Sequence, residues 1–428
     1  MGHVHSGDRE FELLQRRLDH CVEGAPYSPV FIKILKLLFT PSEANFARQI
    51  PLRPTPITVL AKKTGMPLNE LEDKVSEMAQ RGLVFDAEHK GVRYVVLAPV
   101  VIGFFEFTFM RTRDDLPLKE LAHLFEEYML GEGDFARGVF AGQTQVGRSL
   151  VREEALSEEN YSEILDWERA SNIITSASKI GVSLCACRHK AEHHGSACDR
   201  PQRTCLTLNN GADILIKNGL AEQISVGKAL EIFQQCKEAG LAQTGDNVQK
   251  NVSYICNCCG CCCGMFKAMK TFNLNNAIVS SNWIMEIDSE RCVGCGACVQ
   301  ACPLNIITIE ERIMGEQKKR FAASNTDLCL GCGVCYGACK RGAINMKPRS
   351  KRVFTPETTF DKIIMMALER GKLSNYLFDD PSRLSHRALG RIASLIENSP
   401  PVKNLLTAQS VRSVFLNTIA AKVKERAQ

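Results

Sequence analysis

The sequence predicts an α+β chain of several domains whose middle part binds metal. Its 428 residues allow about two to four domains, and a hydrophobic content of 45% with a charged content of 24% is typical of globular proteins. Its twenty cysteines are unevenly placed: nineteen lie between Cys185 and Cys339, and only Cys21 lies outside. Dense thiols in a long chain with a conventional core indicate metal ligands, because disulfide scaffolds are normally short secreted chains.

The charge and the N-terminus limit the function classes. A net charge of +5 is too small to indicate a nucleic-acid binder by itself. Residues 1–27 form a polar leader without the apolar core of a secretory signal. Residues 94–110 are the most apolar window, but Pro99, Gly103 and Glu106 interrupt it, which favours a strand leading into a buried helix over a membrane span. We therefore expect a cytoplasmic protein with no membrane span.

Residues 28–112 predict a small domain of helices followed by a hairpin. One helix is expected to end at Gly65 and the next at Gly82, since glycine commonly follows the last helical residue. Two alternating apolar and polar runs then flank the turn at residues 89–91. This order of elements resembles a winged helix-turn-helix domain.

The candidate recognition helix of this domain is acidic. Its charged residues are Glu70, Glu72, Asp73 and Glu77 against Lys74 and Arg81. Affinity for DNA comes largely from cations that neutralise phosphates, so a net-acidic helix in the major groove would be repelled. We therefore expect the domain to dock protein or to be purely structural.

Two further parts of the chain are predicted to be helical. Residues 113–181 form a connector whose last helix presents Trp167, Ala170, Ile174, Ala177 and Ile180 on one face and ends at Gly181. Residues 351–428 form a helical C-terminal extension that follows a basic linker.

Residues 182–283 predict a Cys-rich α/β region. A short strand is expected to lead into Cys185. Ser225 is a suitable N-cap for a helix on which Cys236 shares the apolar face. We expect Cys236 to be a buried small hydrophobic residue rather than a ligand.

One cysteine motif, C-x2-C-x2-C-x3-C, occurs twice at an offset of 37 residues. Its two copies contain Cys292, Cys295, Cys298 and Cys302, and Cys329, Cys332, Cys335 and Cys339. Three cysteines at two-residue gaps let a tight loop ligate three irons of one cluster, while the fourth can reach the other cluster. Zinc sites favour two CxxC pairs, so this spacing suits zinc badly.

Residues 284–350 closely resemble the bacterial-type two-[4Fe-4S] ferredoxin domain. The resemblance implies two clusters, one held by Cys292, Cys295, Cys298 and Cys339 and the other by Cys329, Cys332, Cys335 and Cys302. The sequence departs from the family at Lys340, which replaces a proline, and in an insert at residues 311–324 that is expected to be a hairpin. Because they place positive charge near a cluster, Lys340 and Arg341 should raise its reduction potential.

Ten further cysteines lie upstream of the repeat. They are Cys185, Cys187, Cys198 and Cys205, followed by Cys256, Cys258, Cys259, Cys261, Cys262 and Cys263. Thiols at this density would be an oxidation hazard, which indicates that metal or chemistry occupies them. We expect them to bind one or two additional iron–sulfur clusters, with Arg188 and Lys190 helping to keep thiolates ionised. The first four could form one site alone or share a site with the second run.

Two alternatives for these ten thiols stay open. Zinc is one, with His189, His193 and His194 as nitrogen ligands, and redox-active disulfides are the other. Adjacent strand residues point to opposite faces, so Cys258 and Cys259 should not serve one small site equally. A turn at Gly260 would bring the two parts of the run together.

The whole chain is similar to a group of ferredoxin-domain proteins from anaerobic bacteria. These join a winged-helix-like front, a C-x-C-R segment and a CxCCxCCC run to a C-terminal dicluster domain. The resemblance implies electron transfer in anaerobic metabolism, as a carrier or as a subunit of an oxidoreductase complex. The sequence has no GxGxxG fingerprint, P-loop or serine triad signature, so electrons are expected to pass to and from redox partner proteins.

Two other functions stay open at this point. One is a reductase with an active-site cluster at the CCGCCC run of residues 258–263, and the other is an iron–sulfur redox-sensing regulator with a winged helix. The sequence predicts neither the oligomeric state nor the electron donor and acceptor.

Overall fold

The computed structural model describes residues 8–314, 317–379, 389–391 and 393–394. The first part of the chain is mainly helical and ends in a small sheet. Its elements are α1 (Arg9–Asp19), α2 (Pro29–Leu38), α3 (Pro41–Ala47), β1 (Thr55–Pro56), α4 (Ile57–Thr64), α5 (Leu68–Gln80), β2 (Val84–His89) and β3 (Val92–Leu97). The strands form an antiparallel sheet in the order β1-β3-β2.

Local sequence signals explain these elements. Gly65 ends α4 with φ 70°, and Thr40 caps α3 through a capping box with Glu43. Lys90 and Gly91, both with positive φ, connect the predicted hairpin of β2 and β3. The sequence therefore predicted the helix and hairpin order correctly, whereas the docking role of this part stays a prediction.

The connector contains short helices and one strand. Its elements are α6 (Phe105–Phe109), α7 (Leu118–Leu130), α8 (Asp134–Val139), β4 (Gly147–Ser149), α9 (Glu158–Tyr161) and α10 (Ala170–Thr175). Residues 94–110 supply most of β3 and then α6, as expected. No helix in the described part of the chain is both long and apolar enough to cross a membrane.

The predicted helix ending at Gly181 is wrong in its extent. It ends at Thr175, and Ile180 and Gly181 begin the next strand. The Ser176 hydroxyl donates to the Asn172 carbonyl at 2.7 Å, and the Ser178 amide donates to the Asn209 side chain at 2.9 Å. The Ser176 amide still donates to the Asn172 carbonyl at 3.0 Å, so the helical pattern stops after it, where the Ser178 amide is bonded to Asn209 instead.

The Cys-rich region is built on a six-stranded antiparallel sheet. The elements that follow α10 are β5 (Ile180–Leu184), α11 (Ala186–His194), β6 (Arg203–Leu208), α12 (Asn209–Lys217), β7 (Glu222–Gln223), α13 (Val226–Glu238), β8 (Ala242–Asp246), β9 (Tyr254–Cys258) and α14 (Gly264–Phe272). The strand order is β4-β8-β9-β6-β5-β7. Ser225 caps α13 as predicted, and Cys236 is fully buried in the core between sheet and helices.

The cysteine repeat forms a smaller α+β arrangement. Its elements are β10 (Trp283–Ile287), α15 (Ala297–Ala301), β11 (Ile307–Met314), β12 (Gln317–Ser324), α16 (Val334–Ala338) and β13 (Ile344–Pro348), and the chain continues into α17 (Thr359–Arg370) and α18 (Leu373–Leu377). β10 pairs with β13, and the insert forms the predicted hairpin of β11 and β12. Most of the predicted C-terminal helical extension lies outside the described residues.

The chain divides into two compact units. The first comprises residues 1–104, 137–144 and 356–428, and the second comprises residues 105–136 and 145–355. Nineteen of the twenty cysteines therefore belong to the second unit. The six narrower ranges derived from the sequence stay predictions.

In the first unit, segments that are distant in sequence are joined by polar contacts. The Glu369 carboxylate accepts from the Gln143 amide at 2.8 Å and from Thr144. Asp379 pairs with Arg17 at 2.5 Å and accepts from the Leu52 amide at 2.7 Å. α17 and the residues after α18 thus complete the unit that α1 begins.

Candidate metal centres

The eight cysteines of the repeat line two separate cavities. We call them cavity I, lined by Cys292, Cys295, Cys298 and Cys339, and cavity II, lined by Cys302, Cys329, Cys332 and Cys335. The two cavities are similar in size, and apolar surface makes up most of the lining of each. Each set takes three cysteines from one copy of the motif and one from the other, which is the division that the ferredoxin resemblance implies.

Two glycines show how tightly the loops are folded around the cavities. Gly294 has φ 62°, and a Cβ there would lie 2.7 Å from the Cβ of Arg320. Gly331 has φ 68°, and a Cβ there would collide with the carbonyl oxygen of Trp283. Only glycine fits such positions without strain or displacement.

Backbone amides donate to one sulfur from each copy of the motif. The Ala322 amide lies 3.3 Å from the Cys292 sulfur, and the Ala343 amide lies 3.4 Å from the Cys339 sulfur. Hydrogen bonds to ligand sulfurs are among the factors that set the potential of a cluster. Ala322 belongs to β12, so the inserted hairpin contributes to cavity I. The sequence predicted the hairpin but gave no signal for this contact.

The two cavities differ in exposure. In cavity I, Cys295 is exposed, Cys339 is half-buried, and Arg341 contributes to the wall. All four cysteines of cavity II are buried. Burial raises the pKa of Cys332 to about 12, as expected when a thiolate loses water without a bound cation. Cavity I is therefore the more exposed of the two.

Six of the upstream cysteines form a second assembly, the six-thiol group. It contains Cys185 at the end of β5, Cys187 in the first turn of α11, Cys205 on β6, Cys256 and Cys258 on β9, and Cys263 at the start of α14. β9, β6 and β5 are neighbours in the sheet. Cys256 and Cys258 are two residues apart on one strand and hence share a face.

The thiols of this group interact directly with one another. Contacts with Cys185 and Cys263 hold the pKa of Cys187 well below its ordinary value. Contacts with Cys256 and Cys263 do the same for the pKa of Cys258, to which the Thr244 hydroxyl lies at 3.4 Å. The same contacts raise the pKa of Cys185, through Cys187, and the pKa of Cys263, through Cys187 and Cys258, well above the ordinary value.

The other four upstream cysteines form the four-thiol group: Cys198, Cys259, Cys261 and Cys262. Their sulfurs all lie within 4.8 Å of one another. The Cys198 sulfur lies 3.8 Å from that of Cys259 and 3.7 Å from that of Cys262, and the Cys261 and Cys262 sulfurs are 3.8 Å apart. Cys258 and Cys259 thus fall into different groups, as strand alternation predicts.

This grouping favours one of the two arrangements that the sequence left open for Cys198. The Cys198 sulfur lies with those of Cys259, Cys261 and Cys262 from the second run. The reason is topological, since Cys198 lies in the loop between α11 and β6, and the turn after β9 folds back to meet it.

Two arginines contact the four-thiol group. Arg188 is fully buried and lies with its Nη1 3.9 Å from the Cys259 sulfur and 3.0 Å from the Asn257 carbonyl oxygen. The Nη1 of Arg200 lies 4.0 Å from the Cys261 sulfur. The pKa of Cys259 falls to about 4, through its contact with Cys262 first and then through Cys261 and Arg188.

The histidines proposed as zinc ligands contact one another instead. The Nε2 atoms of His189 and His193 are 3.2 Å apart, and His189 Nδ1 lies 2.8 Å from the Phe109 carbonyl oxygen. The ring of His194 lies 4.5 Å from that of His123. None of these imidazoles belongs to the four-thiol group.

The turn between Cys259 and Cys261 packs against a residue that lines cavity II. A Cβ on Gly260, in the turn between Cys259 and Cys261, would lie 2.5 Å from the carbonyl oxygen of Pro303. Pro303 follows Cys302 and also lines cavity II. The two cysteine-bearing regions of the second unit therefore meet at this glycine.

Comparison with known proteins gives one match. The family model described as "4Fe-4S dicluster domain" matches residues 291–343. No curated protein and no solved structure matches the chain. The matched segment contains all eight cysteines of the two cavities, so this part of the chain is an iron–sulfur, ferredoxin-like domain.

Proposed function

We propose that this chain, whose 4Fe-4S dicluster domain supports a role in iron–sulfur electron transfer, relays electrons between redox partner proteins. It would act as a carrier or as the electron-relay subunit of an anaerobic oxidoreductase in the cytoplasm, where thiols stay reduced. The observation that carries the proposal is the pair of similar cavities, each lined by four cysteines and by no other ligand type.

The residues present fit two [4Fe-4S] clusters. Four thiolates per cavity match the ligand number of a cubane cluster, and tightly folded glycine loops leave room for it. Cysteines 292, 295, 298 and 339 would hold one cluster, and cysteines 302, 329, 332 and 335 the other. Each cluster, when bound, supplies a site for one-electron oxidation and reduction.

The chain's own residues would set the properties of these sites. The amides of Ala322 and Ala343 stabilise sulfur-centred negative charge, and Ile307, Ile344 and Met346 line the cavities with apolar surface that excludes water. Both factors act on the balance between the oxidised and reduced states of an iron–sulfur centre.

The difference in exposure between the cavities suggests which of them would exchange electrons with a partner protein. A partner would approach at the exposed Cys295, where Arg341 and the nearby Lys340 favour an acidic surface. Electrons would then pass between cavity I and cavity II. The six-thiol group, with more than four thiolates, is our candidate for an additional iron–sulfur cluster.

The proposal can be tested on the full chain purified without oxygen. We expect at least eight irons and eight acid-labile sulfides per chain, given four of each per cluster. Dithionite should bleach the visible absorption and produce the EPR signals of reduced clusters, and the reduced protein should pass electrons to an added acceptor such as cytochrome c. Colourless protein that stays colourless after reconstitution with iron and sulfide would contradict the proposal.

The two alternatives have less support. A regulator needs DNA affinity, and the acidic residues of α5 oppose it. A reductase needs a metal with an open coordination position, and the only feature that favours it is the exposed Cys261 within the run. Substrate-dependent changes in the cluster spectra would support the reductase.

A further inference from the structure

We propose that Cys198, Cys259, Cys261 and Cys262 bind a single divalent metal ion, zinc or iron, in a tetrahedral site of four thiolates. This inference goes beyond the proposed function, which assigns no metal to these residues. For these four thiols it also replaces the expectation that the upstream cysteines bind one or two additional iron–sulfur clusters.

The spacing of the sulfurs is the first argument. Four sulfurs at about 2.3 Å from a central ion, at the corners of a tetrahedron, lie about 3.8 Å apart. Three of the six separations, at 3.7 and 3.8 Å, agree with this value, and the other three are no longer than 4.8 Å. A cubane cluster puts four irons between its ligands and needs more room.

The dicluster domain provides the internal comparison. In the described part of the chain, the four-thiol group is the one group of three or more ligand residues whose donor atoms all lie within 4.8 Å of one another. The four cysteines of cavity I and those of cavity II are farther apart and surround open space. One protein therefore contains thiols spaced for a cluster and thiols spaced for one ion.

The charge balance is the second argument. A divalent ion with four thiolates has a net charge of −2, and the two guanidinium groups of Arg188 and Arg200 carry +2. The site as a whole is therefore neutral. This matters because Cys259 and Cys262 are part of the hydrophobic core, where an uncompensated charge would be costly.

The position in the fold gives the ion a structural role. Cys198 and Cys259 are 61 residues apart in sequence, and the loop that contains Cys198 is held at the end of α13 by Arg200 Nε, which donates to the Ala239 carbonyl at 3.0 Å. An ion bound by both would fix this loop to the turn that contacts Pro303. Tetrahedral sites of four sulfurs are typical of zinc or iron, and binding of such an ion is coupled to folding.

The test is metal analysis of anaerobically purified full-length protein and of two variants. Cys198→Ser and Cys261→Ser should each lose about one zinc or one iron per chain, with acid-labile sulfide unchanged. Cys261 is exposed, so this variant should fold even if Cys198→Ser does not. Cys236→Ala is the matched control, since it removes a nearby buried thiol outside both groups and should lose no metal.

Zinc and iron are distinguished by elemental analysis, and Co²⁺ serves as a spectroscopic probe. Co²⁺ added to metal-depleted protein should give the absorption bands of tetrahedral cobalt thiolate, and these should be absent in both variants. Loss of four irons and four sulfides in Cys261→Ser would overturn the inference, as would unchanged metal content. The EPR signals of the dicluster domain should persist in every variant, so that failure here is separate from failure of the proposed function.

Discussion

The two cysteine-bearing regions of the second unit differ in how close together they place their cysteine sulfurs. In the dicluster domain, cysteines from short loops stand apart around two cavities. In the upstream region, the four sulfurs of the four-thiol group all lie within 4.8 Å of one another, and the six-thiol group collects cysteines from two strands and two helix starts. The difference teaches that short spacing in sequence does not by itself fix the distance between sulfurs, because Cys259, Cys261 and Cys262 also come from one turn and yet lie close together.

The largest expected effect concerns the crossed ligand sets. Cys292→Ala and Cys339→Ala should each lose about four irons and four sulfides per chain. The double variant should lose no more, because both residues line cavity I. Cys292→Ala combined with Cys302→Ala should lose about eight irons, because Cys302 lines cavity II. Iron and sulfide analysis is the measurement, and additive losses for Cys292→Ala and Cys339→Ala would contradict the division.

An intermediate effect is expected where the two regions meet. Gly260→Ala would push a methyl group against the carbonyl of Pro303, and overpacking of this kind costs roughly 1–3 kcal/mol. We expect a lower unfolding temperature and an altered EPR signal from the cluster that Cys302 ligates. Gly227→Ala on α13 is the control, since a Cβ there meets nothing closer than 4.0 Å. Identical unfolding temperatures and EPR signals in both variants would show that the contact between Gly260 and Pro303 does not affect the cluster.

The smallest effect concerns charge beside the exposed cavity. Arg341→Glu should lower the reduction potential of the cavity I cluster, since a reduced cluster is more negative and loses a favourable neighbour. We expect a shift of roughly 20–60 mV, decreasing with added salt. Lys340→Glu should shift it less, because Arg341 and not Lys340 lines the cavity. Protein-film voltammetry measures both, and a larger shift for Lys340→Glu would contradict the structure.

Much of the fold was predictable where the signal is local. Turn residues 89–91, the cap at Ser225 and the hairpin in residues 311–324 follow from neighbouring residues, and the structure contains all three. β4 was missed because a strand of three residues is too short to show alternation. The helix predicted to end at Gly181 failed because serine side chains and pairing with β6 outweighed a helical apolar pattern.

The candidate sites were likewise predictable only where a local sequence pattern contains the ligands. The repeat identified the eight dicluster cysteines, because one loop motif contains most of each ligand set. The partition of the ten upstream thiols depends on strand order. β6 lies beside β9, so Leu206 pairs with Ile255 and Cys205 comes next to Cys256. The alternation of side chains along a strand separates Cys258 from Cys259, but it does not predict which strands are neighbours in the sheet.

The discontinuous first unit has a consequence for biosynthesis. The ribosome makes all nineteen clustered cysteines before it reaches Glu369 and Asp379, which join residues 143 and 144, Arg17 and Leu52. Domains generally fold in the order of their synthesis. Here the N-terminal unit must wait for its last partners, while the polypeptide of the second unit has already emerged in full. Metal can therefore be delivered to the nascent chain before Glu369 and Asp379 make their contacts with the earlier segments of the first unit.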